Sequence, residues 1–236
     1  MYADRDVVVV DKPVDVLTLP YDPTDRDTLV DQTRVALKRR DRGYDPDLGV
    51  VHRLDKHTTG VLVFARTFAA KKHLGQQFRE HSVERAYLAI AHGNCPSATH
   101  ESILLANRGD GLRGSYGRFR RPKGPPPADA RRAVTHVEHI ASLRGATLVE
   151  CRLETGRQHQ IRIHLAEAGN PLVGEQVYVR DYKAPLIPAP RPMLHARLLG
   201  FVHPRTGATM QFESPCPADF IETFERLGGR APDLKR

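Results

Sequence analysis

The sequence predicts an α+β fold in which a mixed, largely antiparallel sheet is flanked by helices. Two observations point there. Short β-branched runs come in pairs joined by tight turn signals, at Arg144-Gly145 and at Pro204-Arg205-Thr206-Gly207, and such hairpins build antiparallel sheets rather than a doubly wound parallel one. Between them lie segments whose apolar residues recur at the four-residue spacing of a buried helical stripe. At 236 residues the chain can bury a sizeable core and reads as one domain, or as two lobes sharing a sheet.

The elements follow in order. Val7 to Val10 is an apolar run that ends at Asp11-Lys12-Pro13, a strand with a turn. Asp27-Thr28 can cap a helix that places Val30, Arg34 and Leu37 on neighbouring turns. Leu48 to Val51 and Val61 to Ala65 read as buried strands on either side of a loop. Thr67 can cap a helix running through His81, with Ala70, Leu74 and Phe78 in its buried stripe. Val83 to Ala91 and Glu101 to Ala106 then read as strands. Ala133 to Ser142 and Ala146 to Glu154 form a hairpin. In its second strand Val149, Cys151 and Leu153 alternate with Glu150, Arg152 and Glu154, which predicts one buried face and one wet one. Thr155-Gly156 leads into a helix ended by Gly169, with Ile161, Leu165 and Ala168 on one face. Leu194 to His203 and Ala208 to Glu213 make a further hairpin. Pro217 opens a last helix whose Phe220, Phe224 and Leu227 face the core.

Composition excludes several classes of function. No apolar stretch has the length of a membrane span, and Met-Tyr-Ala-Asp-Arg-Asp is no secretory leader. Cys95, Cys151 and Cys216 are odd in number and far apart, which fits neither a metal site nor a disulfide framework and points to a reducing cytoplasm. The net charge is +8. Eight Lys and Arg between Asn107 and Arg132 face only Asp110 and Asp129, in a segment broken by glycines and prolines. It is expected to be a flexible, solvated basic insertion (about 107–132). Tyr116 and Phe119 among Arg118, Arg120 and Arg121 suit a single-stranded nucleic acid, with cations for phosphate and rings for bases. A merely solubilising loop is the other reading.

Two constellations carry chemistry. In Val51-His52-Arg53-Leu54-Asp55-Lys56-His57-Thr58-Thr59-Gly60, one carboxylate sits on a loop gripped by two strands and flanked by basic side chains. Such a loop holds a reactive group in place, although an Asp there can equally cap its own turn. In Glu154-Thr155-Gly156-Arg157-Gln158-His159-Gln160-Ile161-Arg162-Ile163-His164-Leu165, Arg162 lies one residue from the apolar Ile161, at the edge of the core. A guanidinium there wants a carboxylate, with Asp55 as a candidate, or else the sheet's own carbonyls. The histidine spacing is not that of a metalloprotease helix.

His52-Arg53-Leu54-Asp55 followed by Thr58-Thr59-Gly60 resembles the signature of the RluA family of pseudouridine synthases. Glu84-Arg85-Ala86-Tyr87-Leu88-Ala89, Thr155 through Leu165, Gly169 through Glu175, Leu194-His195-Ala196 and the lead Asp11-Lys12-Pro13 resemble its other motifs in the same order. The resemblance implies the pseudouridine synthase fold, with two lobes around a central cleft, and isomerisation of uridine in structured rRNA or tRNA. It implies Asp55 as the catalytic carboxylate, Tyr87 and Arg162 as active-site residues, Arg162 pairing with the aspartate, and Arg53 beside a flipped nucleotide. The reaction is redox-neutral and hydrolyses nothing, so no metal and no organic cofactor is expected.

Three positions depart from the pattern: Thr59 for a usual Ser, Asp11 for Asn, and Asp15 for a turn Gly, where positive φ strains an Asp. The chain is expected to lack the small N-terminal RNA-binding domain of many members and to grip RNA through the basic insertion. RNA is the expected partner, with no membrane and no obligate protein partner, as a monomer. Two alternatives remain: a non-catalytic RNA-binding or ribosome assembly factor on the same fold, and a histidine-based hydrolase, for which no nucleophile elbow is present.

Overall fold

The computed structural model describes residues 2–40, 47–118, 124–230 and 234. In chain order the strands and helices are β1 (Tyr2–Ala3), β2 (Val7–Lys12), α1 (Leu29–Arg40), β3 (Gly49–Val50), β4 (Thr59–Ala65), α2 (Phe68–Arg79), β5 (Glu84–His92), β6 (Ala98–Leu105), β7 (Gly114–Ser115), β8 (Arg131–Leu143), β9 (Ala146–Leu153), α3 (Gln160–Glu167), β10 (Leu194–Val202), β11 (Thr209–Glu213) and α4 (Ala218–Arg226). Strand pairing is mostly antiparallel, with β4 and β10 parallel (His195 opposite Thr59), so the expected mixed α+β architecture is present. The chain divides into two units, one of residues 1–86 and 195–217, the other of residues 87–194 and 218–236.

In the first unit the strand order is β1-β2-β4-β10, with β3 on β4 and β11 on β10. Its core joins Val7 and Val9 of β2, Val61 and Val63 of β4, Ala70 and Leu74 of α2, and Leu199 and Phe201 of β10. Thr67 caps α2 as expected, accepting the Ala70 N–H at 3.1 Å, a contact that stabilises a helix by about 1 kcal/mol. The helix stops at Arg79 rather than His81, because His81 takes a left-handed conformation (φ 59°) that breaks the α-helical hydrogen-bond series. Thr28 and Asp31 cap α1 through the Thr28 N–H and hydroxyl, at 3.0 and 2.7 Å.

In the second unit the order is β5-β9-β8-β6-β7. The β8–β9 hairpin closes with Leu143 opposite Ala146, as expected from Arg144-Gly145. The predicted wet face of β9 is not found at Glu150, which is buried and ion-paired with Arg152 at 2.8 Å. Ala168 is also exposed rather than buried, since α3 ends one residue earlier. Residues 107–118 are not a free arm. Within them β7 pairs with β6 (Leu104 opposite Ser115), Leu112 packs on the Leu104–Ala133–Ile163–Tyr178 cluster, and the Ser115 N–H donates to Glu167 (2.9 Å). Among the described residues, no helix is long and apolar enough to cross a membrane.

Candidate active site

In the first unit, the loop carrying Asp55 is built by contacts from distant sequence. Its turn closes through the Thr58 N–H on the Asp55 carbonyl (3.0 Å). Thr18 clamps the residue before Asp55 from both sides: its hydroxyl donates to the Leu54 carbonyl (2.8 Å) and accepts the Leu54 N–H (3.2 Å). Lys12, only 1% exposed, holds the residue after it. Its ammonium donates to the carbonyls of Lys56 (2.8 Å), Pro13 (2.9 Å) and Val16 (2.6 Å), so one buried charge ties the 13–16 turn to the Asp55 loop. Asp15 does adopt the strained positive φ (63°), and its carboxylate holds His57 Nδ1 at 2.7 Å.

The end of the motif is fixed against β10. Gly60 has φ 116°, and a Cβ there would lie 2.1 Å from the Ala196 carbonyl oxygen, so only glycine fits. His195 donates through Nε2 to the Ser214 carbonyl (3.0 Å), which leaves Nδ1 to accept the Thr59 hydroxyl at 2.9 Å. Thr59 thus keeps the role that a serine hydroxyl would have. Asp11 accepts the Ser214 hydroxyl at 2.6 Å, joining the N-terminal lead to the same strand end.

His52 is a structural member of the motif. Its ring stacks on Phe78 (4.4 Å), and its Nε2 accepts the Val63 N–H at 3.1 Å, so that nitrogen carries no proton. Burial, with the Arg85 charge beside it, pushes its pKa down to about 3. Asp55 itself is half-buried and Arg53 exposed.

In the second unit, Tyr87 lies on β5, 8% exposed. Arg162 on α3 is buried and forms a bidentate pair with Glu175, Nε to Oε2 at 2.8 Å and Nη2 to Oε1 at 2.7 Å. Its guanidinium also lies over the Tyr178 ring, 5.2 Å from the centroid, and the Tyr178 hydroxyl meets His159 Nδ1 at 2.7 Å. Burial alone would raise the Glu175 pKa. The Arg162 hydrogen bonds and charge, with the Val177 and Tyr178 N–H groups, outweigh it and hold the carboxyl below its ordinary value. Glu175 is therefore a carboxylate partner of Arg162 that sequence reading did not name, although its motif was visible.

Neighbouring residues of the third motif hold α3 in place. Gln160 uses its whole amide: Oε1 accepts from the Thr155 hydroxyl (2.7 Å) and the Arg157 N–H (3.0 Å), and Nε2 donates to the Val134 carbonyl and Thr135 Oγ1 (2.9 Å each). His159 begins the helix in the left-handed region (φ 59°), a strained conformation of the kind that clusters at functional sites. Arg118 is exposed and donates to the Glu167 carbonyl at 2.6 Å. Arg120 and Arg121 lie outside the described residues.

The model of the RNA pseudouridylate synthase family matches residues 6–167, and the chain belongs to that family of RNA-modifying isomerases. It is 36% identical over 236 residues to a ribosomal large subunit pseudouridine synthase D of Zymomonas mobilis, covering 96% of this chain and 72% of that protein. The protein of the same description from Xanthomonas campestris is 36% identical over 252 residues, covering 100% and 72%. Among solved structures, human RNA pseudouridylate synthase domain containing 4 superposes with a TM-score of 0.77 at 23% identity, over 96% of this chain and 92% of that one, which shows the fold.

Proposed function

We propose that the protein isomerises uridines of ribosomal RNA to pseudouridine, with Asp55 as the catalytic carboxylate. The observation that carries this reading is the anchoring of the Asp55 loop by Lys12 and Thr18 on both neighbours of the carboxylate, inside a chain of this family. Large-subunit RNA is favoured over tRNA because the relatives from Zymomonas mobilis and Xanthomonas campestris, each 36% identical, are described as ribosomal large subunit pseudouridine synthases.

The reaction breaks the bond from ribose C1′ to uracil N1, turns the ring and forms the bond from C1′ to C5. The C5 proton leaves and N1 gains one, so atoms and electrons balance with no added oxidant or reductant. An ionised carboxylate can attack the ribose, attack the ring, or take a ribose proton, and each route needs the charged form. Tyr87 offers a ring face for uracil and a hydroxyl, Arg162 a fixed cation, and exposed Arg53 a phosphate contact. Extruding a base from folded RNA costs a few kcal/mol, which phosphate contacts offset.

Asp55→Asn is expected to abolish pseudouridine formation on transcribed large-subunit rRNA while RNA affinity stays within about threefold, since the amide keeps size and polarity but cannot act as nucleophile or base. Unchanged turnover in that variant refutes the assignment.

A further inference from the structure

Beside α3 in the second unit lies a small groove open to solvent. Arg108, Arg118 and Arg180 line it together with Tyr178 and Tyr182. Asp110 organises the cations: it accepts from Arg108 Nε at 3.1 Å and from Arg180 Nη1 at 2.6 Å, so two guanidiniums share one carboxylate. The hydrogen bond from Arg108 and the nearby guanidinium charges hold Asp110 at about 2, ionised at any physiological pH. Arg118 donates to the Glu167 carbonyl (2.6 Å), a neutral acceptor that leaves its charge in place. Glu167 is engaged elsewhere, whereas Asp181 shares Arg180 with Asp110. Glu167 takes the Ser115 N–H and hydroxyl, and Asp181 lies 3.4 Å from Arg180 Nε.

Two tyrosines give the groove an aromatic wall. Tyr182 is half-buried, with its ring tilted against His92 at 5.1 Å. Tyr178 belongs to the groove and to the Arg162 cluster at once, so the two are adjacent. Arginine forks with planar rings beside them match a phosphodiester followed by a base.

We propose that this groove grips the RNA strand, with Arg118 and Arg180 toward a phosphate and Tyr182 stacking a base. The inference rests on the RNA pseudouridine synthase reading and adds to it a strand-gripping site within the folded chain.

The test uses the full chain and a fluorescein-labelled single-stranded oligouridine of about 12 nucleotides, a length near the upper range of such sites. Affinity is read by anisotropy across a KCl series. Arg118→Ala/Arg180→Ala is expected to reduce the slope of log Kd against log salt by roughly 0.7 for each phosphate that the variant no longer neutralises. Tyr182→Ala is expected to weaken binding by roughly 5- to 100-fold, with Tyr182→Phe close to wild type. On transcribed large-subunit rRNA the same substitutions should act on KM more than on kcat. Unaltered slopes and affinities in folded variants overturn the proposal, as does a loss confined to kcat. If the double arginine variant does not fold, the Tyr182 pair carries the test, and equal affinity of Ala and Phe variants overturns the stacking site. Oligonucleotide affinity is read without turnover, so a wild-type protein that binds but forms no pseudouridine counts against the proposed function and not against the groove.

Discussion

Glu175→Gln keeps the shape of the side chain and removes the charge against which Arg162 is buried. The Arg162 side chain is 9% exposed and that of Glu175 is 0% exposed, so water cannot replace the lost partner. Removing one side of such a pair takes the bidentate carboxylate away from a buried guanidinium and costs up to about 3–5 kcal/mol. For a chain of this size that corresponds to a Tm lowered by roughly 6–20 °C. Arg162→Met/Glu175→Leu removes both charges, and is expected to recover most of the stability while remaining without turnover if Arg162 serves the substrate. Thermal unfolding by circular dichroism at pH 7 measures wild type, Arg162→Met, Glu175→Leu and the double variant as one cycle, with Glu175→Gln beside it. The sign of the pH dependence is fixed by the lowered folded pKa of Glu175: its contribution is complete above its unfolded value of about 4.3 and drains away as pH falls through the folded one. A Glu175→Gln protein melting within about 2 °C of wild type, or a double variant no more stable than the singles, refutes the account of the pair.

Lys12→Met should leave the carbonyls of Pro13, Val16 and Lys56 without their buried donor, at about 0.5–1.5 kcal/mol each, and lower kcat on rRNA through the freed Lys56 end of the loop. A folded Lys12→Met enzyme with wild-type kcat shows that the ammonium does not position the loop. His164 is buried between Ser102 (3.0 Å) and Thr135 (2.9 Å), and burial with the neighbouring His100 pushes its pKa down to about 4. Its stabilising contribution, roughly 3 kcal/mol at most, is full above about pH 6.5 and diminishes as pH falls toward 4. Urea unfolding at pH 7.5 and 5.0 should therefore show a smaller acid loss in His164→Gln than in wild type, and equal losses refute the linkage.

What the sequence discloses depends on whether a residue's neighbours are local. Arg144-Gly145 and Thr67 were legible because a turn and a cap are settled within four residues, and both appear as expected. The β9 alternation misled at Glu150 because a polar residue can be buried once a partner such as Arg152 accompanies it. Residues 107–118 of the basic segment misled for a related reason. Its composition describes a solvated chain, but Ser115 meets Glu167 across 52 positions and Leu112 reaches the Ile163 cluster, contacts that no local pattern records.

The same distinction runs through the candidate site. Asp55, Tyr87 and Arg162 stand out because each falls in a short run that resembles a motif of the RluA family, and such runs are local in sequence. The residues that position them are ordinary by type. Lys12 is one of many lysines until its ammonium is seen on the carbonyl of Lys56, and Glu175 is one of many acids until it closes on Arg162. A positioning residue is defined by the partner that the fold brings to it, so the same lysine placed at the surface would have no bearing on catalysis. Variants of Lys12 and Glu175 should therefore separate from variants of Asp55 in a specific way: the former change stability together with rate, whereas Asp55→Asn changes rate alone.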